Sequence, residues 1–321
     1  IKNGEMLFML NRNDVAIFCT GDKKYIPQMI VALHIACNKN DFTPFIVTDA
    51  PDEEIELVKR FDITTLRIDL KETFDRYNQN WPSQSFWWCA APALLHDLGY
   101  KYSIFIDADV YCNKTLDLSL LNDDLELAAR ELETKNEFNS GVILFNNEKM
   151  VNKDLYTKFI NAYTPMSTIA YERYHGGKVH DQQVLSAIGS GYNQYSDFLR
   201  KSGDFEIKKL DILWNYQFHR ASGQNDEYLD LDYREVKEKV SFAHFLMSRP
   251  WQHHKSWGGT HGLFKTRDFP HGWVVKNRGG EPRPETRIQF VMDWREEVRK
   301  IEQKYGFQMF NDFGKLEEIS L

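Results

Sequence analysis

Several common signals are missing from this sequence, and each absence closes a possibility. No Gly-x-Gly-x-x-Gly follows the first apolar strand and no Gly-x-x-x-x-Gly-Lys-Ser/Thr occurs, which excludes the common dinucleotide fold and a P-loop enzyme. No uninterrupted apolar run reaches the about 18 residues of a membrane-spanning helix, and no signal peptide is visible. The four cysteines, Cys19, Cys37, Cys89 and Cys112, have neither the paired spacing of a zinc site nor the density of a disulfide framework. Three of them lie in apolar stretches, as buried thiols do. That fits a reducing, cytoplasmic setting or a soluble domain of a longer chain, and a first residue of Ile fits the second. No basic stripe is present either. A net charge of −7 argues against a nucleic-acid partner and requires a bound cation wherever a phosphate-bearing ligand sits. Internal repeats and low-complexity tracts are lacking.

What is present describes an α/β protein. A chain of 321 residues can form one large domain or two small ones. The aromatic share of 14% is high, and it suits either core packing or faces that stack on sugar rings; composition leaves both open. Val15–Thr20 is a short apolar run ending at Gly21-Asp22, as a buried parallel strand does. Residues 25–38 carry Ile26, Met29, Ile30, Leu33 and Cys37 at helical spacing. Strands at Phe45–Thr48 and Leu66–Leu70 flank a helix that starts at Pro51-Asp-Glu-Glu. This alternation predicts βαβ units and a mostly parallel sheet, whose ligands bind off the carboxyl ends of the strands. Further on, a helix is expected between Trp81 and Gly99, and strands at Leu125–Ala129, Ile212–Phe218 and Val240–His244. A Gly-containing turn should lead from Phe138 into a strand. Helices are expected at Lys153–Tyr163, Asp181–Ile188 and Glu285–Tyr305, the last with Ile288, Val291, Met292, Val298 and Ile301 on one stripe. Trp251 to Gly280 reads as loop.

The chemistry begins at Ile104-Phe-Ile-Asp107-Ala-Asp109, an apolar strand that runs into two aspartates. On an extended backbone the two carboxylates would share a face roughly 7 Å apart. Such a pair is costly unless a cation sits between them. A second Asp-x-Asp, Asp230-Leu-Asp232, has no strand before it and reads as a solvated turn.

Four segments then fall in order: Asp107-Ala-Asp109, Phe138-Asn-Ser-Gly141, His180-Asp-Gln-Gln183 and His244-Phe-Leu-Met-Ser-Arg-Pro-Trp251. Their order and spacing resemble the glycosyltransferase family 8 enzymes of the GT-A fold, the family of glycogenin and the lipopolysaccharide galactosyltransferases, over about Val15 to Trp251. The resemblance implies a Rossmann-like α/β domain with a mostly parallel central sheet and a fused acceptor-binding half over residues 1–250. A loop-rich, helical C-terminal extension over 251–321 would pack on it. It also implies a metal-dependent, retaining hexosyltransferase that uses a nucleotide sugar, most simply a UDP-sugar, and a glycan or glycoprotein acceptor.

Carried over by position, Asp107, Asp109 and His244 resemble the family's ligands for Mn²⁺ (or Mg²⁺), a donor set that suits such an ion. A surface acidic pair with an unrelated strand-end histidine is the plain alternative. Asn139, Ser140 and Gly141 resemble the turn that packs on the donor sugar, with Gly141 needed where a Cβ would collide or strain the turn. Asp181 and Gln182 resemble the catalytic pair beneath the anomeric carbon, although an Asp at that point also suits a helix N-cap. Thr20 and Tyr25, at the end of the first strand, are candidates for donor contact, Tyr25 against the base. Trp214-Asn-Tyr216 resembles a segment below the acceptor site and equally reads as core.

Two departures qualify the likeness. Met247 stands where the family has Gly, and Arg249 replaces its Lys, offering a phosphate a planar fork instead of a point charge. Cys89-Ala-Ala-Pro-Ala93 also lacks the Arg that normally contacts the donor sugar. His253, His254 and His261, with Gly258 and Gly259, read as exposed loop where a lid would close. The alternatives are a catalytically silent nucleotide- or sugar-binding module of the same fold and a GT-A transferase of another family with a different donor. A metal-dependent phosphohydrolase would want more carboxylates than can be found.

Overall fold

The structure is a computed structural model that describes residues 14–75, 82–132, 136–173, 179–191, 203–217, 233–245, 250–251 and 284–310. The first half alternates strand and helix as expected: β1 (Val15–Thr20), α1 (Ile26–Asn40), β2 (Thr43–Thr48), α2 (Asp52–Lys59), β3 (Thr64–Arg67) and α3 (Lys71–Asp75). A 3₁₀ segment, Ser83–Cys89, and α4 (Ala91–Asp97) replace the single helix expected before Gly99. Then come β4 (Tyr102–Ile106), β5 (Val110–Cys112), β6 (Leu127–Glu131) and β7 (Phe138–Asn146). They are followed by α5 (Asn147–Asn152), α6 (Leu155–Arg173), α7 (Asp181–Ser190) and β8 (Ile207–Leu210). The described chain ends with β9 (Tyr216–Gln217), α8 (Tyr233–Lys239), β10 (Phe242–His244) and α9 (Pro284–Tyr305).

Among the described residues, seven strands form one sheet in the order β3-β2-β1-β4-β7-β6-β8, and three form a second in the order β5-β10-β9. Strands β3, β2, β1 and β4 are parallel neighbours; β7 is antiparallel to both β4 and β6, and β8 pairs parallel with β6. The large sheet is buried on both faces. Val15, Ile17 and Cys19 of β1 enter one apolar cluster while Ala16 and Phe18 enter the other, and Ile104 and Ile106 part from Phe105 in the same way. That two-sided burial is why these strands read as unbroken apolar runs rather than alternating ones.

Four expectations need correction. The Asp107-Ala-Asp109 stretch is not extended: Val110 N–H donates to the Asp107 carbonyl at 3.1 Å, closing a turn that links β4 of the large sheet to β5 of the small one. Asn139-Ser-Gly141 is not a turn but the entry of β7, buried along its whole length. The strand expected at Ile212–Phe218 is a 3₁₀ turn, Ile212–Trp214, with Asn215 leading into the two-residue β9. On α9 the buried stripe is Phe290, Val291, Trp294, Val298 and Ile301, whereas Met292 is 41% exposed. Ile288 lies where side chains are not described.

Candidate functional site

The site lies on the seam between the two sheets. Asp107 closes β4, and its backbone N–H donates to the Gly141 carbonyl of β7 at 3.0 Å. Asp109 immediately precedes β5. Strand β10 runs antiparallel to β5 with His244 opposite Val110, and Phe245 N–H donates to the Asp109 carbonyl at 3.0 Å. This pairing carries the imidazole of a distant segment onto the aspartate turn. His244 Nε2 stands 3.2 Å from Asp109 Oδ1 and 3.7 Å from Asp107 Oδ2, and the three side chains can offer ligand atoms all within 4.8 Å of one another. The expected ligand residues are therefore brought together.

The donor set fits a divalent cation on its own chemistry. Burial, then the charges of Asp109 and Asp181, push the Asp107 carboxyl well above the ordinary carboxylate range. With 39% of the Asp107 side chain open to solvent, water tempers the first of these. Carboxylates crowded in this way around an imidazole nitrogen form an arrangement that a hard or borderline divalent ion such as Mn²⁺ or Mg²⁺ relieves.

The remaining residues wrap this triad. Gly141 packs against the histidine ring: a Cβ built on it would lie 2.1 Å from His244 Cε1 and 2.5 Å from Nδ1. The obstacle that calls for glycine is thus the histidine of the triad itself. Asn139 Oδ1 accepts from Gly141 N–H at 2.9 Å and from Asn215 Nδ2 at 2.7 Å, and Asn139 Nδ2 donates to Gln182 Oε1 at 3.3 Å. Asp181 does not cap α7. His180 holds that place, its backbone N–H donating to Gln183 Oε1 at 2.8 Å, which leaves the buried Asp181 carboxylate to accept from Trp88 Nε1 at 3.2 Å and from the Ser140 side chain. Burial raises the Asp181 carboxyl, and those hydrogen bonds pull it back.

Thr20 ends β1, and its buried hydroxyl has no hydrogen-bond partner among the described residues. The parallel pairing of β1 with β4, Phe18 opposite Phe105, brings the end of β1 beside the aspartate turn, and at Cys19 burial and then the charge of Asp107 raise the thiol. Tyr25 closes the 3₁₀ turn just after β1, partly buried against the core. Arg249 lies outside the described residues, as do Met247, Gly258, Gly259, His253, His254 and His261. Trp88 was not foreseen as a site residue, and Asn215 only as part of the Trp214-Asn-Tyr216 segment expected below the acceptor site. Asn215 had one usable signal: an amide set among Trp214, Tyr216 and other apolar neighbours has to find partners if it is buried.

This architecture, a mixed but mostly parallel sheet with a small second sheet hinged on the aspartate turn, is the GT-A glycosyltransferase fold. Among solved structures the chain is similar to the galactosyltransferase LgtC in complex with donor and acceptor sugar analogs: 14% identity over 88% of this chain and 100% of that one, TM-score 0.51. An active-site mutant of LgtC gives 14% identity with the same coverage and a TM-score of 0.50. The bifunctional glycosyltransferase WbbM overlaps more loosely, with 12% identity and a TM-score of 0.47, and this chain spans 52% of its length. At these identities the likeness establishes the fold and stops there. No family model matches the chain, and no curated protein matches it.

Proposed function

We propose that this chain is a metal-dependent glycosyltransferase of the family 8 kind, moving a hexose from a nucleotide sugar, most simply a UDP-sugar, to a glycan or glycoprotein acceptor with retention of anomeric configuration. The observation that carries the reading is the convergence of Asp107, Asp109 and His244 at the carboxyl end of β4, where an open α/β sheet binds ligands. These three would hold Mn²⁺ or Mg²⁺, which when bound supplies the positive charge that a leaving diphosphate needs. The chain's own groups do the positioning. Asp181, fixed by Trp88 and Ser140, offers a carboxylate to sugar hydroxyls, and Gln182, fixed by Asn139, lines the face opposite the leaving group. Thr20 brings a buried hydroxyl with no partner among the described residues, and Tyr25, in the turn that follows β1, would stack on the base. Arg249 would add its fork to the diphosphate.

The test is a panel of nucleotide sugars offered with Mn²⁺ and again with chelator, read by melting temperature and by release of the nucleotide diphosphate. A UDP-sugar with Mn²⁺ should raise the melting temperature by several degrees, as ligand well above its Kd does, and should be slowly hydrolysed. Stabilisation without any turnover would favour a silent binding module. Stabilisation only by non-UDP donors would end the UDP assignment, and no response to any donor would end the transferase reading.

A further inference from the structure

A chain of hydrogen bonds behind the triad settles which nitrogen of His244 faces the cation site. It starts at a group that can only donate, the Gly141 backbone N–H, which bonds Asn139 Oδ1 at 2.9 Å. That oxygen is therefore the acceptor for Asn215 at 2.7 Å, so the Asn215 amide must present its nitrogen to Asn139 and its oxygen to His244. The contact between Asn215 Oδ1 and His244 Nδ1, 3.1 Å long, then requires the proton on Nδ1. In the neutral ring this puts the Nε2 lone pair on the side of the aspartates, the form that binds a metal. The same Asn139 amide reaches the other way: its Nδ2 donates to Gln182 Oε1 at 3.3 Å, which turns the Gln182 amide nitrogen away from Asn139. Asn215 is fully buried, and its own carbonyl accepts from the buried Arg130 guanidinium at 2.7 Å, so the hub is held on two sides.

We infer that Asn215 is a positioning residue that couples the metal-facing nitrogen of His244 to the amide orientation of Gln182 through Asn139. The inference rests on the transferase reading above, and it assigns a single buried amide to two tasks that would otherwise need separate control.

Two substitutions separate those tasks. Asn215→Leu removes both ends of the hub. Asn215→Asp keeps an acceptor for His244 Nδ1–H but sets a carboxylate oxygen against Asn139 Oδ1; because the Gly141 N–H on that oxygen opposes a flip of the amide, Asn139 is pushed aside and loses its hold on Gln182. Mn²⁺ affinity, read from the free-ion electron paramagnetic resonance signal without donor, should fall by about 10- to 100-fold in Asn215→Leu. In Asn215→Asp it should stay within about threefold of the parent, because carboxylates serve histidine ligands well in this place, while kcat for donor turnover falls by about tenfold or more. Unchanged Mn²⁺ affinity in Asn215→Leu would overturn the inference, as would equal weakening in both variants or failure of both to fold, each of which would leave Asn215 a packing role. If Asn215→Leu alone fails to fold, Asn215→Asp decides by its split between metal affinity and kcat. A parent protein that does not bind Mn²⁺ would overturn the transferase reading itself, an outcome distinct from a parent that binds beside variants that match it.

Discussion

A single methyl group at Gly141 should be among the most damaging changes to the site. It would stand 2.1 Å from a histidine ring whose other nitrogen is tied to Asn215 and whose strand is pinned to β5, so neither side can retreat cheaply. Overpacking of this kind costs about 1–3 kcal/mol. We expect Gly141→Ala to lower both the melting temperature and the Mn²⁺ affinity, the second measured by titration on protein shown to be folded. Asp107→Asn and Asp109→Asn should act differently. Asp107→Asn removes a partly buried charge that is costly while the cation is away, so that metal-free variant should melt no lower than the parent, and in both variants donor turnover should fall by about 10²-fold or more. Variants that kept most of their turnover would show that the cation is not held here.

At the scale of elements, α9 matters most for its distance in sequence from what it covers. Phe290, Val291, Trp294, Val298 and Ile301 share one apolar cluster with β1, β4 and α1, and Tyr305 stacks on Phe61 with ring centroids 4.6 Å apart. Trp294→Ala should cost about 3–5 kcal/mol, as loss of a fully buried large aromatic does, and a denaturant melt would measure it. The seam between α9 and α1 also carries a titratable group. His34 bonds Asn38 through Nδ1 at 2.8 Å and Tyr305 through Nε2 at 3.3 Å, and burial, then the charge of Lys304, lowers its pKa. A lowered folded-state value means that the folded protein binds the proton less readily than the unfolded chain. Stability is therefore full above the unfolded-state value near 6.5 and declines as the pH falls from there through the folded-state value. The parent should thus lose more melting temperature between pH 7.5 and 5 than His34→Gln does, and equal losses would remove His34 from the account.

Taken whole, the molecule was legible in its first half and at its ligands, less so where segments meet. Strands such as Val15–Thr20 announce themselves because two-sided burial leaves no polar position from Val15 to Cys19. Strand β8 does not: Ile207-Lys-Lys-Leu210 lies at the sheet edge with both lysines exposed, so its sequence resembles a loop. Ser83–Cys89 is buried at six of its seven positions, and an apolar run flanked by Pro82 and Pro92 cannot tell a 3₁₀ coil from an α-helix by periodicity. Asp107, Asp109 and His244 could be picked out because carboxylate and imidazole types carry their chemistry in their names. Asn215 stood in a segment set below the acceptor site, but its tie to His244 was not readable, since it depends on a pairing of β9 with β10 that only the folded chain creates. The same pairing carries a consequence for biogenesis. Two of the three proposed ligands sit before the midpoint of the chain and the third well beyond it, so a protein arrested or clipped ahead of β10 could complete most of the large sheet yet hold no imidazole over its aspartates. Manganese uptake would then report that synthesis and docking had run to the end: chains that stop ahead of His244 should show none, whatever circular dichroism they keep.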